Sequence, residues 1–193
     1  MPRRLFVALE PPEAVRRRLT AAAAKIRRAA GAAAGEIRWV ADENVHLTVQ
    51  FLGAVPEERV DAVAEAIGAA ASAARPVSLE VKGAGGFPNS RRPRVVWLGI
   101  AGEVPALEVL AGDLGRRLAS LGFPPEARPF AAHLTLGRAR DARGAPGLGG
   151  ALAAAAQDEG IAWRATELVL FESHLSPGGP RYEAVLRAAL GGA

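Results

Sequence analysis

A five-residue pattern occurs twice in this chain and restricts its fold more than any other feature. Val45-His46-Leu47-Thr48-Val49 and Ala132-His133-Leu134-Thr135-Leu136 share the order apolar, His, Leu, Thr, apolar. That is the alternation of a strand, in which residues i and i+2 point to one face. His46 and Thr48 should leave one face while Val45, Leu47 and Val49 pack behind it. His133 and Thr135 should do the same in front of Ala132, Leu134 and Leu136. The chain has only three histidines, and two of them fall in the repeat. A lone His-X-Thr on a strand reads as an ordinary structural histidine. A matched pair reads as two related lobes, each presenting one imidazole and one hydroxyl.

Two imidazoles that titrate near neutrality suit paired acid–base work, one neutral to take a proton and one charged to give it. Hydroxyl donors beside them suit an anion whose charge shifts during reaction. A phosphodiester fits: a base activates water, an acid protonates the departing sugar oxygen, and the hydroxyls hold the non-bridging oxygens. A metal centre fits less well, because neither pentad has an adjacent carboxylate or a His-X-X-X-His spacing. ATP-dependent ligation lacks its lysine, since Lys25 falls in a helical stretch and Lys82 at a strand end. The absence of cysteine removes thiol nucleophiles, disulfide scaffolds and zinc ribbons. Neither a metal nor a cofactor is expected.

The remaining pattern supplies a framework of mixed elements. Strands are expected at 5–9, 37–40, 45–52, 77–82, 94–100, 130–138, 161–173 and 182–190, the last two paired. Helices are expected at 13–33, from Pro56 to 74, at 104–121 and in a short alanine-rich stretch ending at 157. Residues 83–93, with three glycines and two prolines, read as a loop, and so do 141–150. The elements do not alternate as βαβ units, so the expected class is α+β with mostly antiparallel sheets. A chain of 193 residues is one domain at this length. The apolar run at 5–9 is too short for a secretory or membrane segment, and a soluble cytoplasmic monomer is expected. The net charge of +4 favours anionic partners such as nucleic acid or nucleotides.

Further candidates follow from position. Gln50 shares the face of His46 and Thr48 by alternation. Strict alternation from His133 turns Arg138 away, to a structural or rim role, unless a bulge intervenes. Arg38 precedes the first pentad and is a candidate for the cleft, whereas its neighbour Trp39 reads as core. Arg91, Arg92 and Arg94 end the glycine-rich loop, where they suit a flap on RNA phosphates with Phe87 offering a stacking surface. Tyr182 opens the last strand and either stacks on a base or packs an edge. His174 reads as a turn histidine ahead of Ser176-Pro177-Gly178-Gly179.

The two pentads resemble the signature of the two-histidine (2H) phosphoesterase superfamily. Arg4-Leu5-Phe6-Val7-Ala8-Leu9, Arg38-Trp39-Val40, Gln50-Phe51-Leu52-Gly53 after the first pentad, Arg94 to Gly99, Phe130 to Arg138 and Leu170-Phe171-Glu172-Ser173 narrow the likeness. Together they resemble the bacterial and archaeal RNA 2′,3′-cyclic phosphodiesterases, also called 2′-5′ RNA ligases. The resemblance runs in order along essentially the whole chain. It implies one domain over 1–193 made of two intertwined lobes, with a motif in each (46–49 and 133–136). It also implies a bilobal, pseudo-two-fold symmetric fold, two mostly antiparallel sheets flanking a central cleft, and helices outside. The implied activity is metal-independent opening of a 2′,3′-cyclic phosphate to a 2′-phosphomonoester, with weak 2′-5′ ligation. The implied partners are RNA ends, such as tRNA fragments, or small cyclic nucleotides. His46 matches the proton donor to the 3′-oxygen and His133 the acceptor that activates water, while Thr48 and Thr135 match the phosphate-holding hydroxyls. A non-catalytic module that binds nucleotides or RNA ends on the same fold is the alternative.

Overall fold

The first strand organises the molecule because its apolar run leaves no polar face. In β1 (Arg3–Leu9) residues Leu5 to Leu9 are all buried. Leu5, Val7 and Leu9 join the main core, while Phe6 and Ala8 face the opposite side beside Val169 and Phe171. A strand covered on both faces belongs in the middle of a sheet. It pairs antiparallel with β3 (Leu47–Val55) on one edge and with β8 (Glu167–Ser176) on the other. β9 (Gly179–Ala189) closes that leaf as a hairpin with β8. The computed structural model describes residues 1–127, 129–176 and 179–191.

A second leaf contains β7 (Ile161–Ala165), β4 (Val77–Phe87), β5 (Val95–Gly102) and β6 (His133–Ala139) in that order, with the short β2 (Ile37–Trp39) beside β6. Every pairing in both leaves is antiparallel. The leaves meet where β3 touches β6 through one residue pair, Leu47 with Leu134. Helices α1 (Glu13–Ala30), α2 (Val60–Ala73), α3 (Val104–Ser120) and α4 (Gly149–Ala155) all give side chains to the main core. Leu19, Ile26, Ile67, Leu107, Leu114 and Leu118 are among its fully buried members. Together with Val15, Ala23, Val63, Ala70 and Leu110 they recur at the three- and four-residue spacings of apolar helix stripes. The result is an α+β fold whose helices cover one side of two antiparallel leaves and leave the other side open. No helix among the described residues is long and apolar enough to cross a membrane.

Three expectations need correction. Residues 83–93 are not one loop, because β4 continues to Phe87 and pairs with β5 up to Val95. Gly85 and Gly86 make room rather than turns: a Cβ on Gly85 would lie 2.5 Å from the Trp97 ring. The expected strand 161–173 is two strands that part at Thr166, with β7 beside β4 in one leaf and β8 beside β1 in the other. His174 lies within β8 opposite Arg181, not in a turn. Its Nε2 is 3.5 Å from Glu183 and 3.9 Å from Glu172. Pro177 and Gly178 of the expected turn lie outside the described residues.

Gly137 holds β2 against β6. A Cβ there would stand 2.5 Å from Ile37 Cγ2 and 3.1 Å from the Arg38 carbonyl oxygen. Gly137→Ala should therefore cost about 1–3 kcal/mol through overpacking. At ~2–4 °C per kcal/mol for a domain of this size, the loss is readable in a thermal melt. Gly150→Ala, where nothing lies within 4 Å of the new methyl, is the control and should leave Tm unchanged or raised.

Candidate active site

The single Leu47–Leu134 pair joins the centres of the two pentads. Both leucines are fully buried on the helical side, so the residues flanking them face the open side. Continuing the antiparallel register sets His46 towards Thr135 and Thr48 towards His133. The two imidazoles are anchored alike. His46 Nδ1 lies 2.8 Å from the Asn44 carbonyl oxygen, and His133 Nδ1 lies 2.6 Å from that of Ala131. A carbonyl only accepts, so Nδ1 carries the proton in each case and Nε2 is the nitrogen free to exchange one.

The surroundings of the two histidines differ. His46 packs against Phe6 at 4.8 Å between ring centres, with Tyr182 edge-on at 5.3 Å and Phe171 at 6.4 Å. Burial among these rings pushes its pKa below the usual 6.5, and charge on His133 or Arg138 acts in the same direction. The hydrogen bond to Asn44 and the charge of Glu10 oppose that shift. His133 does not itself line the cleft, and Phe87 packs edge-on against it at 5.2 Å.

His46, Thr48 and Thr135 line a cleft of about 380 Å³ together with Arg4, Phe6, Phe51, Arg138 and Tyr182. Two bulges decide which later residues reach it. Along β1, Ala8 pairs with Thr48 but Val7 with Gln50, so Val49 is the extra residue. Along β5, Trp97 pairs with Thr135 but Val96 with Gly137, so Leu136 is the extra residue. Each bulge follows the motif threonine, and each inverts the alternation beyond it. Gln50 is consequently not on the cleft face. It is 5% exposed, and its Nε2 donates to the Phe123 carbonyl oxygen at 3.0 Å. Phe51 takes its place, 49% exposed and 5.9 Å from Phe6. The matching bulge swings Arg138 into the cleft wall, contrary to strict alternation.

Phe51 and Arg138 thus stand at equivalent positions of the two lobes. Sequence reasoning passed over Phe51 and also Arg4, which shares a face with Phe6. The alternation from Phe6 was the available signal for Arg4. Tyr182 forms part of the cleft wall and also packs edge-on against Phe6 at 4.9 Å. Burial raises its phenol pKa. Arg38 lies opposite Arg138 in the β2–β6 ladder. Trp39 is structural, with Nε1 donating to the Ala34 carbonyl oxygen and Arg27 over its ring at 4.8 Å. Arg91 and Arg92 do not line the cleft. They sit in the turn after β4, where their backbone N–H groups donate to Asn89 Oδ1. Among the described residues no three His, Asp or Glu side chains gather as a metal site.

Comparison with known proteins bears on this arrangement. The LigT-like phosphoesterase family model matches residues 9–97 and again 98–182, one pentad in each match. An RNA 2′,3′-cyclic phosphodiesterase of Aeropyrum pernix is 35% identical over 77% of this chain and 84% of its own. One from Methanothermobacter thermautotrophicus is 31% identical over 93% of this chain and 94% of its own. Among solved structures, TT0787 of Thermus thermophilus superposes with a TM-score of 0.79 at 29% identity, covering 98% of both chains. Escherichia coli LigT complexed with 3′-AMP gives 0.75 at 31% identity, covering 98% of this chain and 99% of that one. With a match in each half and the same fold from end to end, this chain belongs to the LigT-like phosphoesterase family.

Proposed function

We propose that this protein opens RNA 2′,3′-cyclic phosphate ends to 2′-phosphomonoesters by paired-histidine acid–base catalysis, without a metal. The carrying observation is the pair of imidazoles, each with Nδ1 tied to a carbonyl, brought to one side of adjoining strands by the Leu47–Leu134 pairing, with His46, Thr48 and Thr135 lining the cleft. Relatives that bear the name RNA 2′,3′-cyclic phosphodiesterase support the reading. His133 Nε2 takes a proton from water as the water attacks phosphorus. His46 Nε2–H gives its proton to the departing 3′-oxygen, so the phosphate stays on the 2′-oxygen. Thr48 and Thr135 donate to the non-bridging oxygens, where charge gathers in the transition state. A 5′-hydroxyl in place of the water would give a 2′-5′ linkage by the same proton transfers.

Burial leaves His46 reluctant to hold a proton. An anionic phosphate beside it favours the charged imidazole, so substrate itself prepares the donor. Arg4 and Arg138 make the cleft favourable to that anion, and Phe51 offers an exposed ring face to the terminal base.

The test is a short RNA ending in a 2′,3′-cyclic phosphate, incubated with excess EDTA, with the product read by phosphorus NMR. A 2′-phosphate is expected. Binding without turnover would instead favour a non-catalytic module. His46→Ala and His133→Ala should each lower kcat by ~10²–10⁴-fold with the fold retained. Thr48→Ala and Thr135→Ala should cost up to ~10²–10³-fold. One histidine variant with near-full activity would refute the paired mechanism. Separately, an NMR titration of the ligand-free protein should find His46 titrating below 6.5. Tyr182→Ala opens the aromatic wall and should move that midpoint up towards 6.5, because less desolvation opposes the charged form.

A further inference from the structure

Several arginines outside the cleft are partnered: Arg3, Arg16, Arg75, Arg117, Arg143 and Arg187 each meet a carboxylate. The exit of the cleft along β6 and β2 is different. Arg138 lines the cleft, and Arg38 is its cross-strand partner. Val40, two residues beyond Arg38, also lines the cleft, so Arg38 shares that face by alternation. Arg140 follows Arg138 by two residues and shares its face. Its Nε donates to the Gly35 carbonyl oxygen at 3.0 Å, which holds the guanidinium by one of its five donors. All three side chains are exposed. None forms an ion pair among the described residues. Glu36 lies opposite Arg140 through its backbone, with the Arg140 N–H donating to its carbonyl oxygen. Asp141 is engaged by Arg143.

Like charges directly opposed across strands are destabilising, and no ion pair among the described residues offsets the Arg38–Arg138 opposition. An anion between them would reverse the sign. Residues i and i+2 on a strand stand about 6.6 Å apart, comparable to successive phosphates of an extended nucleic-acid strand. We propose that Arg138, Arg38 and Arg140 form a ledge for the RNA strand upstream of the cyclic phosphate and hold its last internucleotide phosphates. The ledge makes a polynucleotide end, rather than a cyclic mononucleotide, the preferred substrate. This inference rests on the proposed function for where the terminal phosphate sits, and it adds the direction in which the strand leaves.

The test uses equilibrium binding, so that it stands even if catalysis fails. Fluorescence anisotropy with a labelled short oligoribonucleotide ending in a 2′-phosphate, over a series of salt concentrations, is compared with competition by a nucleoside 2′-monophosphate. The oligomer should bind more tightly, with an advantage that shrinks as salt rises. Arg38→Ala and Arg140→Ala should each reduce the slope of log K against log[salt] by about 0.7 and narrow the oligomer-to-mononucleotide ratio. Arg38→Lys and Arg140→Lys should keep the slope, which separates lost charge from lost fold. An oligomer that binds no better than the mononucleotide, or slopes unchanged in both alanine variants, would overturn the ledge. Hydrolysis of a nucleoside 2′,3′-cyclic phosphate by the unaltered protein is the separate readout for the proposed chemistry.

Discussion

One backbone pairing, Leu47 with Leu134, governs everything the cleft can do. In a strand a slip of one residue exchanges the two faces. With both leucines sealed on the helical side, the flanking His46, Thr48, His133 and Thr135 have only the open side left. The contact is also kept to one pair. Beyond it β3 follows β1, while β6 lies between β5 and β2. The same contact that brings the histidines together therefore lets the leaves diverge and creates the space between them. A longer β3–β6 ladder would close that space, and none at all would leave the two imidazoles unrelated.

A symmetric backbone here carries an asymmetric set of side chains. Both histidines are anchored through Nδ1 and both threonines precede a bulge, so the two halves offer the same geometry. The reaction proposed for them is not symmetric, since one imidazole must be neutral when the other is charged. The difference is supplied by what surrounds them: an aromatic wall of Phe6, Phe171 and Tyr182 around His46 and, among the described residues, Phe87 alone beside His133. The fifth residue after each histidine extends the contrast, with Phe51 in one lobe and Arg138 in the other. One half of the cleft thus offers an aromatic ring and the other a cation, which would give the proposed nucleotide substrate a single orientation.

The pentads were readable in the sequence because their period is that of a strand and their faces are chemically distinct. The α+β class, the helix stripes and the structural place of Trp39 were readable for the same reason. What alternation could not see was the bulge, because the extra residue is defined by the partner strand and leaves no mark on its own. Gln50 and Phe51 changed places for that reason, and Arg138 moved into the cleft by the same device. The glycines at 83, 85 and 86 misled differently. Glycine in a strand pattern looks like punctuation, yet Gly85 sits opposite Trp97 in the ladder and leaves space for its ring. Thr166 shows a third limit. A continuous apolar run can serve two leaves, and only the pairings show where it divides.

The placement of β1 explains why the aromatic wall can set the state of His46 dependably. Phe6 is carried by a strand whose other face, Leu5, Val7 and Leu9, is locked into the main core. Phe171 comes from the strand hydrogen-bonded beside it. Rings fixed in this way desolvate the imidazole in every copy of the folded protein, with no loop closure required first. Against that fixed cost, the variable term is the charge of whatever enters the cleft. A neutral ligand would leave the downward shift of His46 unopposed, whereas a phosphate provides the counter-charge that a buried imidazolium needs. For the reaction proposed, selection for an anionic substrate would thereby be built into the proposed proton donor itself, and Arg4 and Arg138 would reinforce it by concentrating that anion beside His46.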